Sequence, residues 1–358
     1  MQVLKTKPTV NVFCPTGKGG GVDPTCGKGG KGKGRATKGG SASCPPPCHN
    51  PNPLRNPSVS RVGVPADSVP PPPPVGRLPN LTKKERAAEK AFIDAYEKNP
   101  DKVAGQFRDL VTSTTKPGQP KVFGTDDAKV LTDAWGGHDP VARSVNRATL
   151  NLPLHQTANA IAKRAFVQEL DSLSKGDEIM VTVGGCGAGK GYALKNVPQA
   201  LAVKNKSKVV WDSAGDQNAT ENPWIQKEAE KRGLKVNYVY VHADPKNQWA
   251  HPERGVVKRA ADPNDGRMVD AKVFADSYAI GAKNHNDFYQ KNKNNQNANF
   301  IFLENAGTPK LLDGIPKQSL SWSSKDLEKY AVEVVKKSDA PKHVKQGALA
   351  GQRIWKGE

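Results

Sequence analysis

Residues 179–196, IMVTVGGCGAGKGYALKN, constrain this chain more than any other stretch. An apolar run of strand length passes through a glycine-rich turn into a helical pattern, and the turn fits the spacing G-x-x-x-x-G-K. It is made of Gly184, Gly185, Cys186, Gly187, Ala188, Gly189, Lys190 and Gly191. In that setting the glycines let successive backbone N–H groups point into one cavity, the helix adds its positive end, and Lys190 reaches the outer phosphates of a nucleotide. A strand-to-helix turn that binds nothing is the plainer alternative. Gly191 stands where the motif has Ser or Thr, so the hydroxyl that would ligate Mg²⁺ is missing. Water or another side chain then fills that place, or metal binding is weakened. Cys186 is either a small loop filler or a thiol acidified by Lys190 and the helix end.

The surroundings alternate. Helical patterns over 192–203 and 222–232 separate the apolar runs VVW (209–211) and VNYVYV (236–241), and two further helical stretches precede FIFL (300–303). Strands alternating with helices predict an α/β domain over 154–310, a parallel sheet of P-loop NTPase type with helices on both faces. Residues 81–153 are expected to be an all-helical preface. LTKKERAAEKAFIDAYEKNP opens with Thr82 and Glu85 at capping-box spacing and stops at Asn99 and Pro100, and TDDAKVLTDAW and PVARSVNRATL carry short helical patterns. A longer helix is predicted over 154–173. The tail, 311–358, holds one amphipathic helix, SSKDLEKYAVEVVKK, and a basic end. No internal repeat is visible.

The first 80 residues differ in kind. They hold 16 of the 29 prolines and 13 of the 34 glycines, a composition that packs no core, so a disordered head with a polyproline II stretch at 70–74 is expected. Eleven Lys or Arg there face only Asp23 and Asp67, which supplies nearly half of the net charge of +19. Such a balance favours anionic partners, namely nucleotides, nucleic acid through the head, or anionic surfaces, without choosing a function. Cys44, Cys48 and His49, with Cys14 or Cys26, have the composition of a zinc site. Three prolines between Cys44 and Cys48 resist the tight turn it needs, and free thiols are the plainer reading. No apolar run has the length of a membrane span or a secretory signal, so a cytoplasmic protein with no membrane partner is expected. The segments CPTG and GGGVDPTC, within residues 14–26, weakly resemble the opening of some phage head and portal proteins.

A phosphate cradle does not separate a kinase from a nucleotide-hydrolysing switch; carboxylates do. In a doubly wound sheet ligands lie beyond the carboxyl ends of the strands, which puts Asp212 of VVWDSAGD at the rim beside the glycine turn and Asp216 about one turn on. A carboxylate there can accept the proton of an attacking hydroxyl or orient Mg²⁺, whereas a cap or turn residue is the plainer role for either. Asn218 and Glu221 are candidate substrate contacts. Arg254, Lys258, Arg259 and Arg267 fall within fourteen positions and could close over a nucleotide; a solvated basic helix face is the alternative.

Together, GGCGAGKG, VVWDSAGD, VYVHADP, ERGVVKRA and GRMVDAKVF resemble the zeta toxin family of P-loop kinases across some 140 residues. The resemblance implies an ATP- or GTP-dependent kinase working with Mg²⁺ on a hydroxyl of a small metabolite such as UDP-N-acetylglucosamine or NAD, acting as a toxin and possessing an antitoxin partner. By position it makes Lys190 the phosphate-binding lysine, Asp212 the catalytic base with Asp216 as the other candidate, and Arg259 and Arg267 the phosphate clamp, with Arg254 beside the nucleotide. Gly191 and the stretch after Asp212 depart from the family pattern, and neither the head nor the helical preface belongs to the family core. Two other functions fit parts of the sequence: a polynucleotide 5′-kinase, expected to bind nucleic acid with steep salt dependence, and a phage-associated structural protein with a vestigial nucleotide site.

Overall fold

The computed structural model describes residues 78–136, 140–215, 217–262 and 266–357. The expectations for the head, its cysteines and its proline run therefore lie outside the described residues, apart from its last three positions, and so does Asp216.

Six strands form one sheet: β1 (Lys121–Gly124), β2 (Glu178–Val183), β3 (Val209–Asp212), β4 (Lys235–His242), β5 (Ala298–Glu304) and β6 (Lys310–Leu312). Their spatial order is β1-β3-β2-β4-β5-β6, all parallel except β6, which pairs antiparallel with β5. The chain leaves β2 for β3 on one side and then crosses to β4 on the other. The 184–190 loop thus departs from the sheet where the strand order reverses, the place where open α/β sheets form a crevice.

Alternation along each strand separates two cores. Ile179, Val181, Val209, Trp211, Val236 and Tyr238 face one layer. That layer contains α1 (Lys83–Lys98), α2 (Pro100–Thr114), the long α4 (Pro140–Leu170) and α7 (Asn218–Lys231). Met180, Val210, Val239 and Val241 face the other. There lie α5 (Lys190–Asn196), α6 (Pro198–Lys206), α8 (Pro245–Ala250), α9 (Val256–Ala260), α10 (Ala271–Asn292), α12 (Ser324–Lys337) and α13 (Lys342–Ala348). Two short turns of helix, α3 (Thr125–Ala128) and α11 (Lys317–Leu320), complete the set. Along α4, Ala158, Ala162 and Ala165 are fully buried, and small side chains there allow close approach to the sheet. Edge-on aromatic contacts run from Phe107 through Phe123 and Phe166 to Trp211 and Trp224, with centroids 5.2 to 6.0 Å apart.

The expected mixed α/β architecture with a largely parallel sheet is present, and the strands at 179–183, 209–211, 236–241 and 300–303 all form. Thr82 and Glu85 close the capping box that starts α1. Four expectations need correction. The preface is not all helical: KVFG forms β1, which pairs with β3 and extends the sheet. The helix expected from 154 begins at Pro140 and continues through Pro153, whose missing N–H reads in sequence as a helix start. The helix expected over 192–203 is two helices, because Val197 adopts an extended conformation before Pro198, which opens α6. The tail adds α11, α13 and β6 to its one expected helix, α12.

Among the described residues no helix is long and apolar enough to cross a membrane. Between α7, α10 and β4, His285 is fully buried, with Nδ1 3.1 Å from Asn222 Nδ2 and its ring stacked on Tyr240. Burial lowers its pKa to about 3. The unfolded chain then binds a proton on this group before the folded one does, so stability is lost as pH falls from about 6.5 toward 3. The expected slope from this group is about 1.4 kcal/mol per pH unit. Urea midpoints measured from pH 7 to pH 4 should fall accordingly; a flat profile would contradict a buried neutral His285.

Candidate functional site

The carboxyl ends of β1, β3 and β2 converge on one rim. Register places Gly124 opposite Asp212 and Asp212 opposite Thr182. Thr182 Oγ1 donates to Asp212 Oδ1 at 2.6 Å, and Lys190 Nζ lies 3.5 Å from the same oxygen and 3.4 Å from the carbonyl of Gly184. The lysine at the start of α5 and the carboxylate at the end of β3 therefore meet directly over β2. The sequence expectation puts Asp212 at the rim beside the glycine turn but does not foresee its contact with Lys190.

The loop itself is held by its neighbours. Ser277 Oγ accepts the Cys186 N–H at 3.0 Å, the Tyr278 hydroxyl donates to the Cys186 carbonyl at 3.3 Å, and Asn305 Nδ2 donates to the Ala188 carbonyl at 2.8 Å. A Cβ on Gly185 would fall inside the buried Tyr278 ring, and one on Gly189, whose φ is +73°, would meet Asn305 Nδ2. Gly185 is thus required by packing against Tyr278, and Gly189 by its left-handed backbone. Gly191 is exposed and a Cβ there would meet nothing. Gly185→Ala is expected to destabilise the protein by about 1–3 kcal/mol, since Tyr278 has no room to move; the urea midpoint reads it.

The basic segment wraps this loop. Val256, at the start of α9, lies close enough to Gly187 that a Cβ there would sit 2.7 Å from its methyl group. Arg259, on α9, acts electrostatically on the Tyr278 phenol, whose pKa burial raises and Arg259 pulls back. Arg254 and Lys258 are exposed. Arg267 acts on the carboxyls of Asp126 and Asp127. The two arginines that the sequence grouped together thus act on different side chains, Arg259 on Tyr278 and Arg267 on Asp126 and Asp127.

Several residues of the site had not been singled out. At the end of β1 the chain turns into α3, and its TDDAK segment adds Asp126, Asp127 and Lys129 to the rim. Lys129 is fully buried, bonded to Asp126 Oδ1 at 2.6 Å and to Asn151 Oδ1, and lies 5.0 Å from the Trp135 ring centre. Burial lowers the Lys129 pKa, while Asp126 opposes that shift. Burial disfavours the charge on Asp126, but Lys129 and Arg267 outweigh it and hold this carboxyl well below the usual range. Desolvation raises the Asp127 carboxyl toward about 6, opposed by Arg267 and helped by Asp126 and Asp212, while the exposure of its side chain to water offsets part of the rise. A four-residue strand has too little alternation to betray itself, so nothing local linked this segment to the glycine turn.

Glu221 does not reach the cleft. It is buried and accepts from Ser213 Oγ at 2.9 Å, Asn159 Nδ2 at 3.2 Å and Trp211 Nε1 at 3.4 Å, with Lys163 Nζ at 3.3 Å. Burial works against its charge, but Lys163 and these donors keep its pKa low. Its place is beneath the turn that follows Asp212. Asn218 opens α7.

The donors present do not make a resident site for Mg²⁺. Gly191 has no hydroxyl, the Thr182 hydroxyl is given to Asp212, and among the described residues no three His, Cys, Asp or Glu converge to hold a metal. No known protein-family profile and no curated protein sequence matches the chain.

Proposed function

We propose that the protein is a nucleoside-triphosphate-dependent phosphotransferase of zeta-toxin type, acting on a hydroxyl of a small metabolite of the nucleotide-sugar or NAD class. The observation that carries this reading is the meeting of Lys190 and Asp212 at the mouth of the 184–190 turn, where the strand order reverses. Phosphoryl transfer demands positioning and charge neutralisation above all. Lys190 supplies a positive charge to the outer phosphates, and Asp212 with Thr182 fixes where that ammonium sits. Arg259 covers the loop side of the nucleotide, while Arg267 covers the side of β1. Arg254 and Lys258, both exposed, are free to swing onto a bound anion. ATP or GTP is the donor, and any Mg²⁺ arrives with the nucleotide. A toxin role with an antitoxin partner follows from the family resemblance.

Calorimetric titration of ATP and GTP into the full chain tests the nucleotide half of this reading. Saturable one-to-one binding that disappears in Lys190→Ala is the expected result. A vestigial site in a phage-associated structural protein is the second reading, favoured by Gly191 and by the Cys186 N–H already being given to Ser277. Absence of any heat with either nucleotide would select it.

A further inference from the structure

We infer that Asp127, rather than Asp212, accepts the proton of the attacking hydroxyl, an inference that rests on the phosphotransferase reading above. Asp212 is committed elsewhere. Its Oδ1 takes the Thr182 hydroxyl hydrogen at 2.6 Å and lies 3.5 Å from the Lys190 ammonium, so a proton taken up on either oxygen would cancel the charge that faces the lysine. Removing that arrangement would also release the lysine. Asp212 is accordingly a positioning residue for Lys190.

Asp127 has the opposite character. Gly124 pairs with Asp212 across the β1–β3 ladder, and α3 starts at the next residue, which folds Asp127 back over the strand end. A Cβ placed on Gly124 would lie 3.2 Å from Asp127 Oδ2 and 4.0 Å from Asp212 Cβ, so the two side chains border the same point. The absence of a side chain at Gly124 leaves that point open. The Asp127 carboxylate makes no hydrogen bond or ion pair with another described residue and is open to water, with Oδ2 on the side of Gly124. The groups facing it are Asp126 and Lys129 from its own turn, Asp212 from β3 and Arg267 from the segment after α9. His155 of α4 stands behind Asp126 and Lys129. Desolvation, opposed by Arg267 and Lys129 and helped by Asp126 and Asp212, brings its pKa to about 6, close to the pH at which a general base both takes up and releases a proton readily.

The step balances without an external reagent other than the nucleoside triphosphate. The acceptor O–H proton passes to an Asp127 oxygen as the acceptor oxygen's electron pair forms the bond to the γ-phosphorus. The bond from that phosphorus to the β–γ bridging oxygen breaks, and its electron pair leaves on the nucleoside diphosphate. Asp127 then returns the proton to water.

The test uses the full chain, ATP with a γ-phosphate label, and three acceptors: a nucleotide sugar, a pyridine dinucleotide and water. Wild type, Asp127→Asn, Asp127→Glu, Asp212→Asn and Lys190→Ala are compared from pH 5 to 8, with ATP binding measured on each. Asp127→Asn is expected to bind ATP as wild type does and to transfer about 10²–10⁴-fold more slowly. The fall of the wild-type rate on the acid side, with its midpoint near 6, should vanish in Asp127→Asn, persist in Asp212→Asn and reappear in Asp127→Glu.

Folding is checked by a linked readout. The raised pKa makes this group destabilising once pH passes from its unfolded value through about 6, so Asp127→Asn should melt higher than wild type above pH 6 and equally near pH 4. Wild-type transfer rates in Asp127→Asn, or an unchanged acid limb, would overturn the assignment while leaving the phosphotransferase reading standing. Failure of the wild type to bind or turn over ATP would overturn that reading, and this one with it.

Discussion

Lys190→Ala is expected to reduce nucleotide-dependent phosphoryl transfer by about a thousandfold or more while leaving the fold intact. Lys190 is the first residue of α5, and its ammonium sits in the narrow space between the Gly184 carbonyl and Asp212, above the strand end from which the loop departs. A positive charge there meets the charge that develops on a transferred phosphoryl group. Alanine keeps the helix and loses a long hydrogen bond to the Gly184 carbonyl and an ion pair whose carboxylate side chain is 46% exposed, interactions of small worth to stability. Initial rates and melting curves on the same preparation separate the two effects. A large loss of rate with an unchanged melting temperature is the expected pair of results.

Glu221→Ala should be the most destabilising single change in the vicinity of the site. Its carboxylate is buried, and so is its partner Lys163, whose side chain is 10% exposed. Truncation leaves the Lys163 ammonium without its counter-ion and three donors, on Ser213, Asn159 and Trp211, without their acceptor. Breaking such a buried pair from one side costs about 3–5 kcal/mol, corresponding to a fall in melting temperature on the order of 10 °C. The damage should spread to the site, because Ser213 Oγ also accepts the Gly215 N–H at 3.2 Å and so shapes the turn after Asp212. Replacing both members, Glu221→Leu with Lys163→Met, should recover much of the loss, because no uncompensated charge then remains. Denaturant midpoints of the two single variants and the double variant form the test. Equal destabilisation by the double and the single variants would contradict a coupled buried pair.

The parts of this protein that were legible in its sequence are those written locally. A strand, a glycine turn and a lysine at a helix start lie in consecutive residues, so the turn and the rim position of Asp212 could be placed from spacing and strand order. The capping box at Thr82 and Glu85 and the amphipathic α12 are equally local signals. What escaped was assembled by long-range pairing. Asp127 precedes Lys190 by 63 residues and reaches the rim because β1 pairs with β3 on the far side from β4. Glu221 looked like a polar rim residue and is a buried acceptor, because α4 brings Lys163 and Asn159 beneath it. Gly185, read as leaving room for phosphates, is also required by Tyr278, which no nearby sequence announces.

The most direct test of the central claim is mass spectrometry of a metabolite panel, including UDP-N-acetylglucosamine and NAD, incubated with the purified 358-residue chain, ATP and Mg²⁺ beside a Lys190→Ala control. A metabolite that gains one phosphoryl group with wild type and not with Lys190→Ala is the predicted result. An unchanged panel, together with no calorimetric binding of ATP or GTP, would contradict the account and leave the 184–190 turn as a structural element.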